Sequence, residues 1–412
     1  MIPRLRSLIS DFPRQFWVLF CGSLISATGG GLIFPFMTLY LRQKLDISMT
    51  TIGLLFGVMA VVGLLPQVMG GALADKLGRK AIMLVSLFGS GLATLGVGLA
   101  TNMSLLLACL ILDSTLGWPL YAPATNAMVA DLVKEGKRTQ AYGLLRVVHN
   151  LGIVIGPSVG GLIIAFGSYL HLFILAAITS LIFFLITLFF IRETKPETVV
   201  REEGAPLAGY GQVLQDQPFL AFCLVAILET IVYAQMTTTF PVFLKQERGI
   251  PEALWGLIMA TNAGMVVLFQ FPLTRLSDHY RRTAVLAVGA LFYAVGFGGI
   301  GLGTGFFYFV FCVIVLTIGE MLFIPTATAY VADIAPEDMR GRYMGAAGLI
   351  WGAGFGIGPI VGGAIMDRWG GVYIWPVTFV LSLLGAAAFL ALEWVRPVVP
   401  ERPKEKVLFP IQ

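Results

Sequence analysis

The sequence predicts an all-α membrane protein whose twelve transmembrane helices form two six-helix bundles. Three observations carry this prediction: the composition, a series of long apolar runs and an internal duplication. The 412-residue chain is 57% hydrophobic and only 12% charged, with a mean hydropathy of +0.86, which is too apolar for a water-soluble protein. Helices are the expected spanning form, because the apolar runs lack the alternation of a membrane β-barrel.

Each helix is predicted from a run of about 20 apolar residues, the length that crosses a bilayer. Six runs fall in each half, so we predict an N-terminal bundle over about 1–191, a cytoplasmic linker over about 192–216, a C-terminal bundle over about 217–394 and a cytoplasmic tail over about 395–412. The runs, named spans 1 to 12, cover about 15–41, 50–74, 81–101, 104–130, 140–166, 169–191, 217–244, 252–274, 283–303, 305–332, 341–366 and 372–393.

The two halves share a duplicated segment. Residues 120–163 recur without a gap as residues 322–365, and 17 of the 44 aligned positions are identical. The shared residues include Pro123 with Pro325 and Asp131 with Asp333. A period this long indicates paired half-molecules and not a solenoid of short repeats.

The distribution of basic residues predicts the orientation. Of the 27 Lys and Arg residues, 21 lie in alternate segments on the side that holds both termini. By the positive-inside rule this side is cytoplasmic, which places a multi-pass protein in the cell (inner or plasma) membrane. The net charge of +4 therefore reflects topology, and no basic patch predicts a nucleic-acid partner.

The loop between spans 2 and 3 reads Gly-Ala-Leu-Ala-Asp-Lys-Leu-Gly-Arg-Lys over residues 71–80. It resembles the G-x-L-x-D-R/K-x-G-R-K/R signature of the major facilitator superfamily, and a weaker copy over residues 273–282 has Thr274 in place of the first glycine. With twelve spans, a parallel repeat and a central linker, the resemblance covers the whole chain and extends to bacterial 12-span drug/proton antiporters. It implies the major facilitator fold and transport by alternating access.

The charged residues of this loop form a predicted gating clasp. A carboxylate such as Asp75 can cap the N-terminus of a neighbouring helix, while Arg79 can pair with Asp131 at the end of span 4. The resemblance implies that Asp75 meets the start of span 11 near Gly341 when the transporter faces outward. The alternative is a basic loop that only sets the topology. The clasp comprises Gly71, Asp75, Gly78, Arg79 and Asp131, with Asp278, Arg282 and Asp333 in the second half.

Span 5 carries a glycine motif that resembles one the family associates with exporters and antiporters. Glycines at i, i+4 and i+8 make a flat face on which another helix can approach closely. Because span 11 repeats the pattern, symmetric helix packing is the alternative interpretation. The motif consists of Gly152, Gly156, Pro157, Gly160 and Gly161, with Gly354, Gly358, Pro359, Gly362 and Gly363 in span 11.

Four charges deep in the spans are not shared between the halves: Asp113, Glu229, Glu320 and Arg146. Burying such a charge at mid-membrane costs about 2.5–3.5 kcal/mol or more, so we expect these residues to face a wet cavity or one another. The resemblance implies that spans 1, 4, 7 and 10 line a central cavity, and the three acids fall in spans 4, 7 and 10. Fixed structural ion pairs are the alternative.

These charges suggest a proton-coupling mechanism. We predict Asp113 and Glu320 as proton carriers, Glu229 as a second cation site and Arg146 as the counter-charge. His149 and Asn150 follow Arg146 at i+3 and i+4 and extend one polar stripe along span 5, although packing is the commoner role for such a histidine. Related drug/proton antiporters often carry an arginine in span 4; its place here falls at Ile111, which leaves Arg146 as the predicted cation.

Three functions are consistent with these features. The favoured one is proton-coupled export of hydrophobic or cationic small molecules. The second is transport of a sugar, metabolite or lipid by symport, uniport or flipping, and the third is a membrane receptor that does not transport. No metal-ligand cluster, nucleophile elbow or phosphate loop predicts an enzyme or a cofactor. The expected partners are a small-molecule substrate, protons and the lipid bilayer, and a monomer is expected.

Overall fold

The prediction of an all-α membrane protein with twelve transmembrane helices is confirmed. In the computed structural model, the described residues are 12–134, 137–194, 210–336 and 339–395, and they contain 12 helices that are long and apolar enough to cross a membrane. An even number of spans puts the start of span 1 and the end of span 12 on one side, called the termini side; the other is called the far side. Most of the predicted linker (195–209) and tail (396–412) lies outside the described residues.

The observed helices follow the predicted spans closely. Spans 1, 4 and 7 each consist of two helical segments, and span 12 begins with a short 3-10 turn, Gly371–Tyr373. In chain order, the helices are Arg14–Ile33 with Met37–Leu45, Met49–Leu77, Arg79–Leu99, Met103–Leu116 with Trp118–Leu132, Arg138–Phe166, Tyr169–Phe190, Gln217–Ala234 with Thr239–Arg248, Glu252–Ser277, Arg282–Gly299, Phe306–Ile334, Arg340–Trp369 and Ile374–Val395. A four-residue helix, Tyr210–Val213, precedes span 7.

The interruptions in spans 4 and 7 have local causes. In span 4 the helix stops at Gly117 and restarts at Trp118, because Pro119 lacks the N–H that a continuous helix would use. Span 10, which has Met321 at the position equivalent to Pro119, stays continuous. In span 7 the side chains of Gln235 and Thr238 donate to the carbonyls of Ile231 and Ala234, at 2.9 and 2.8 Å, beside the turn that separates its two segments.

The glycine motifs form two rows that contact different partners. On span 5, Gly152, Gly156 and Gly160 face span 1, where a Cβ added to Gly156 would lie 2.5 Å from the Gly31 Cα. The equivalent row on span 11 faces span 7 of its own bundle, with Gly358 against Ala234. These first rows hold each bundle together.

The second row joins the two bundles near the far side. Pro157 and Gly161 of span 5 contact Gly256 and Ala253 of span 8. In the repeat, Pro359 contacts Gly53 of span 2, and Gly363 contacts Met49. Because only glycine lacks a Cβ, the backbones of the two bundles approach closely at these points.

The bundles separate toward the termini side, and spans 2 and 11 show this directly. A Cβ on Gly53 would lie 2.6 Å from the Pro359 carbonyl carbon, whereas one on Gly352 would lie 3.9 Å from Leu64, its sole neighbour within 4 Å, and one on Gly71 would meet nothing within 4 Å. An apolar cleft of about 670 Å³ opens between the two helices. The structure is therefore the state that is open to the termini side.

Candidate functional site

Glu320 is the acid that the structure places at the centre of the C-terminal bundle, between spans 7, 8 and 10. The Asn262 side-chain amide of span 8 donates to Glu320 Oε2 at 2.7 Å and to Thr317 Oγ1 at 2.9 Å. The Tyr233 hydroxyl of span 7 donates to the same carboxylate. Glu320 as a residue remains partly exposed, and its carboxylate is held by these polar groups.

Aromatic rings surround the approach to this carboxylate. The Tyr233 ring centroid lies 5.9 Å from that of Trp351 and 6.2 Å from that of Phe355, both on span 11. Aromatic faces attract organic cations and pack against apolar ligands. A carboxylate beside such rings suits a hydrophobic cation.

The facing wall of the N-terminal bundle carries a cation. Arg146, Asn150, Pro157 and Gly161 share one face of span 5, and the far-side end of that face contacts span 8 at Pro157 and Gly161. Arg146 therefore faces the gap between the bundles, is exposed, and has no ion pair or hydrogen bond within the described parts of the chain.

A second pair of rings completes this wall. Trp118 of span 4 is 61% exposed, and its ring centroid lies 5.3 Å from that of the exposed His149 of span 5. The duplication relates Trp118 to Glu320 and His149 to Trp351. At these equivalent positions the N-terminal bundle has the ring pair of Trp118 and His149. The C-terminal bundle has the acid Glu320 and the ring of Trp351.

Asp113 does not lie on this wall. Its Oδ1 accepts a 2.6 Å hydrogen bond from Ser90 of span 3, next to the break at Gly117. Ile111 and Trp118, which are seven positions apart, are exposed on the opposite face of span 4. The structure therefore directs Asp113 toward span 3 within the N-terminal bundle, away from Glu320.

Glu229 lies inside the C-terminal bundle. It is fully buried, its Oε2 accepts a 3.0 Å hydrogen bond from Ser382 of span 12, and its Oε1 packs against Gly385. A side chain at residue 385 would occupy the space of this carboxylate. The predicted cavity position of Glu229 is thus replaced by a contact between spans 7 and 12, since residue 229 is on the face of span 7 that packs against its own bundle.

The clasp residues of the first half form a compact cluster on the termini side. Arg79 is 6% exposed and lies 2.8 Å from Asp75 Oδ1 and 2.9 Å from Asp131 Oδ2. Asp75 makes this ion pair within its own bundle, and Gly71 has nothing near it. In this state the cluster belongs to one bundle, while the contact of Asp75 with the start of span 11 is predicted for the opposite state.

The cap on the neighbouring helix comes from a residue that the sequence did not single out. Glu193, which follows span 6, accepts hydrogen bonds from the backbone N–H groups of Arg79 at 2.9 Å and Lys80 at 3.1 Å, at the start of span 3. Gly78 has φ +105° and no room for a Cβ beside Glu193. Glycine is thus required at residue 78 for two reasons. A cap supplied from more than 100 positions away leaves no local sequence signal.

The second half repeats the ion pairs in weaker form. Arg282 lies 2.8 Å from Asp278 Oδ1 and 3.3 Å from Asp333 Oδ2. The Arg282 side chain is 17% exposed, compared with 7% for Arg79. Greater exposure increases screening by water and weakens the pairs.

Comparison with known proteins gives concordant matches. The family model described as Major Facilitator Superfamily matches residues 19–267 and 237–411. A "Na(+), Li(+), K(+)/H(+) antiporter" of Planococcus maritimus is 27% identical over 93% of this chain and 95% of the relative. "Multidrug resistance protein MdtH" of Escherichia coli O157:H7 is 24% identical over 92% and 93%. The crystal structure of the nucleoside transporter NupG superimposes with a TM-score of 0.78 at 17% identity, covering 92% of this chain and 99% of that one.

Proposed function

Because the chain belongs to the major facilitator superfamily of membrane transporters, we propose that it exports hydrophobic or cationic small molecules in exchange for protons. The termini side is then the cytoplasm, as the positive-inside rule predicts. Glu320 is the group for which the proton and the substrate compete. The observation that carries this proposal is the Glu320 carboxylate held by Asn262 and Tyr233, beside aromatic rings, in a molecule whose bundles separate toward the termini side.

The competition follows from charge. A carboxylate in a poorly solvated site favours the protonated form, and a nearby cation favours the ionised form. An organic cation that enters from the termini side and stacks against Tyr233 or Trp351 would displace the proton from Glu320. After reorientation, a proton from the far side would neutralise Glu320 and release the cation. One carboxylate thus couples the two fluxes.

Arg146 is expected to act when the bundles close on the termini side. Depth along the helix axes can be measured from the contact between Pro157 and Gly256. With a rise of 1.5 Å per residue, Arg146 lies ~16 Å from this contact toward the termini side, and Asn262 lies ~9 Å from it in the same direction. The difference of ~7 Å is within the reach of an arginine side chain. When the bundles close on the termini side, the guanidinium would approach the Glu320 site and disfavour rebinding of a cation there.

The names of two relatives agree with this class of transport. One is a multidrug resistance protein and the other a cation/proton antiporter. At 24–27% identity, these names support the proposed coupling and cargo.

The test uses purified protein in liposomes that contain a pH-sensitive dye. Addition of tetraphenylphosphonium or ethidium to the wild type is expected to release protons in proportion to substrate uptake. Glu320→Gln should reduce this release at least tenfold, because a neutral amide cannot carry the proton, and Glu320→Asp should restore part of it. Asp113→Asn and Glu229→Gln are matched controls that remove acids facing away from the cavity.

Three outcomes would change the proposal. Substrate-coupled proton release of wild-type size in Glu320→Gln would remove this residue as the carrier. Release of protons by K⁺ or Na⁺, with no response to organic cations, would favour exchange of metal cations. Uptake of a neutral sugar or of a lipid without proton movement would favour the second function derived from the sequence.

A further inference from the structure

Asp367, at the far-side end of span 11, binds the first turn of span 2 in the other bundle. Its Oδ1 accepts a 3.0 Å hydrogen bond from the Met49 N–H, and its Oδ2 accepts 2.7 Å bonds from both the Thr50 N–H and the Thr50 hydroxyl. Three hydrogen bonds thus join one carboxylate to the opposite bundle.

These bonds complete the capping of span 2. The first N–H groups of a helix have no partner within the helix. Ser48 supplies part of the cap, since its hydroxyl accepts from the Thr51 N–H at 3.1 Å and its carbonyl accepts from the Ile52 N–H at 3.0 Å. The remaining two donors, those of Met49 and Thr50, are satisfied by Asp367. A negative charge at this position also complements the helix dipole.

The contact depends on the state of the transporter. Spans 2 and 11 touch at their far-side ends, where Gly363 meets Met49, and they diverge toward the termini side until Gly71 has no neighbour. Opening of the far side must separate Asp367 from Met49 and Thr50. The bonds of Asp367 can therefore form only while the cavity is open to the termini side.

Asp75 lies near the termini-side end of span 2, as Asp367 lies near the far-side end of span 11. Spans 2 and 11 run antiparallel, and each ends in an acid that lies at the same membrane side as the start of the other. In this structure Asp367 is engaged across the interface, while Asp75 pairs with Arg79 in its own bundle. The two cross-bundle contacts cannot form together, because the helices close at one end and open at the other.

We propose that Asp367 is a positioning residue for transport: its carboxylate caps span 2 and holds the molecule open to the termini side until the far side opens. This role goes beyond the proposed cargo and coupling. It requires neither a substrate nor a proton gradient.

The test measures the distance between spans 2 and 11 by double electron–electron resonance, without substrate. Spin labels are attached to Met69→Cys and Leu349→Cys, two exposed positions, after replacement of the four native cysteines. In wild-type protein most molecules should show the long distance between the two labels, because spans 2 and 11 diverge toward the termini side. Asp367→Asn should raise the short-distance fraction about tenfold relative to the long one, which corresponds to about 1.4 kcal/mol. Asp367→Glu should return the distribution toward that of the wild type.

Glu247→Gln is the matched control. Glu247 lies at the same side and accepts a 2.6 Å hydrogen bond from the Gly371 N–H at the start of span 12, but within one bundle. Glu247→Gln should leave the distances unchanged.

Thr50→Val removes one of the three bonds and should raise the short-distance fraction about threefold relative to the long one. This variant tests the proposal if Asp367→Asn does not fold. Wild-type distances in both Asp367→Asn and Thr50→Val, or an equal shift in Glu247→Gln, would overturn the proposal.

Discussion

Substitution of Gly156 by alanine should destabilise the N-terminal bundle, and the structure sets the size of the effect. The added Cβ would lie 2.5 Å from the Gly31 Cα and 2.8 Å from the Leu32 nitrogen. Ordinary carbon contacts begin near 3.5 Å, so spans 1 and 5 would have to move apart by about 1 Å. The neighbouring atoms are backbone and cannot rotate away.

The expected magnitude combines two opposing terms. Overpacking of a tight contact costs about 1–3 kcal/mol, and replacement of a glycine inside a helix by alanine stabilises by about 0.5–1 kcal/mol. Because the neighbours are backbone atoms, overpacking takes the upper part of its range, about 2–3 kcal/mol, and subtracting a helix gain of about 1 kcal/mol leaves a net loss of about 1–2 kcal/mol. For a cooperative unit the size of one bundle, this corresponds to a decrease in Tm of roughly 2–8 °C.

Gly143→Ala is the control in the same helix. A Cβ at Gly143 would meet nothing within 4 Å, so only the favourable helix term remains and the Tm should stay level or rise. Both variants are compared by thermal unfolding in the same detergent. Equal Tm values for the two variants would refute the assignment of Gly156 to a close contact with span 1.

Three further predictions concern residues outside the cavity. Glu193→Ala removes the acceptor for two N–H groups at the start of span 3 and should lower the free energy of unfolding by about 0.5–2 kcal/mol; an unchanged denaturant midpoint would contradict the cap. Glu229→Gln keeps an acceptor for Ser382 and should leave the substrate KM unchanged; a KM change as large as that of Glu320→Gln would place residue 229 in the transport site. Gln235→Leu removes the 2.8 Å donor to the Gly358 carbonyl and the 2.9 Å acceptor of the buried Thr239 hydroxyl, and should cost about 1–3 kcal/mol; a Tm equal to that of the wild type would show that another group replaces the amide.

Several features of this protein follow from the sequence alone. The number of spans follows from the length of apolar runs, since a bilayer fixes how many residues are needed to cross it. The duplication of residues 120–163 predicts the paired glycine rows, because equivalent backbones pack equivalently. The pairing of Arg79 with Asp131 could be anticipated because both charges lie at the same depth.

The direction in which each side chain points is set only when the helices pack against one another. Spans that are apolar on every face give no periodic signal, so the sequence could not separate Glu320, which is partly exposed and bound by Asn262, from Glu229, which is buried against span 12. The capping of span 2 by Asp367 joins residues more than 300 positions apart. The side on which the bundles open is likewise a property of contacts between them, and such contacts form only when the whole chain is folded.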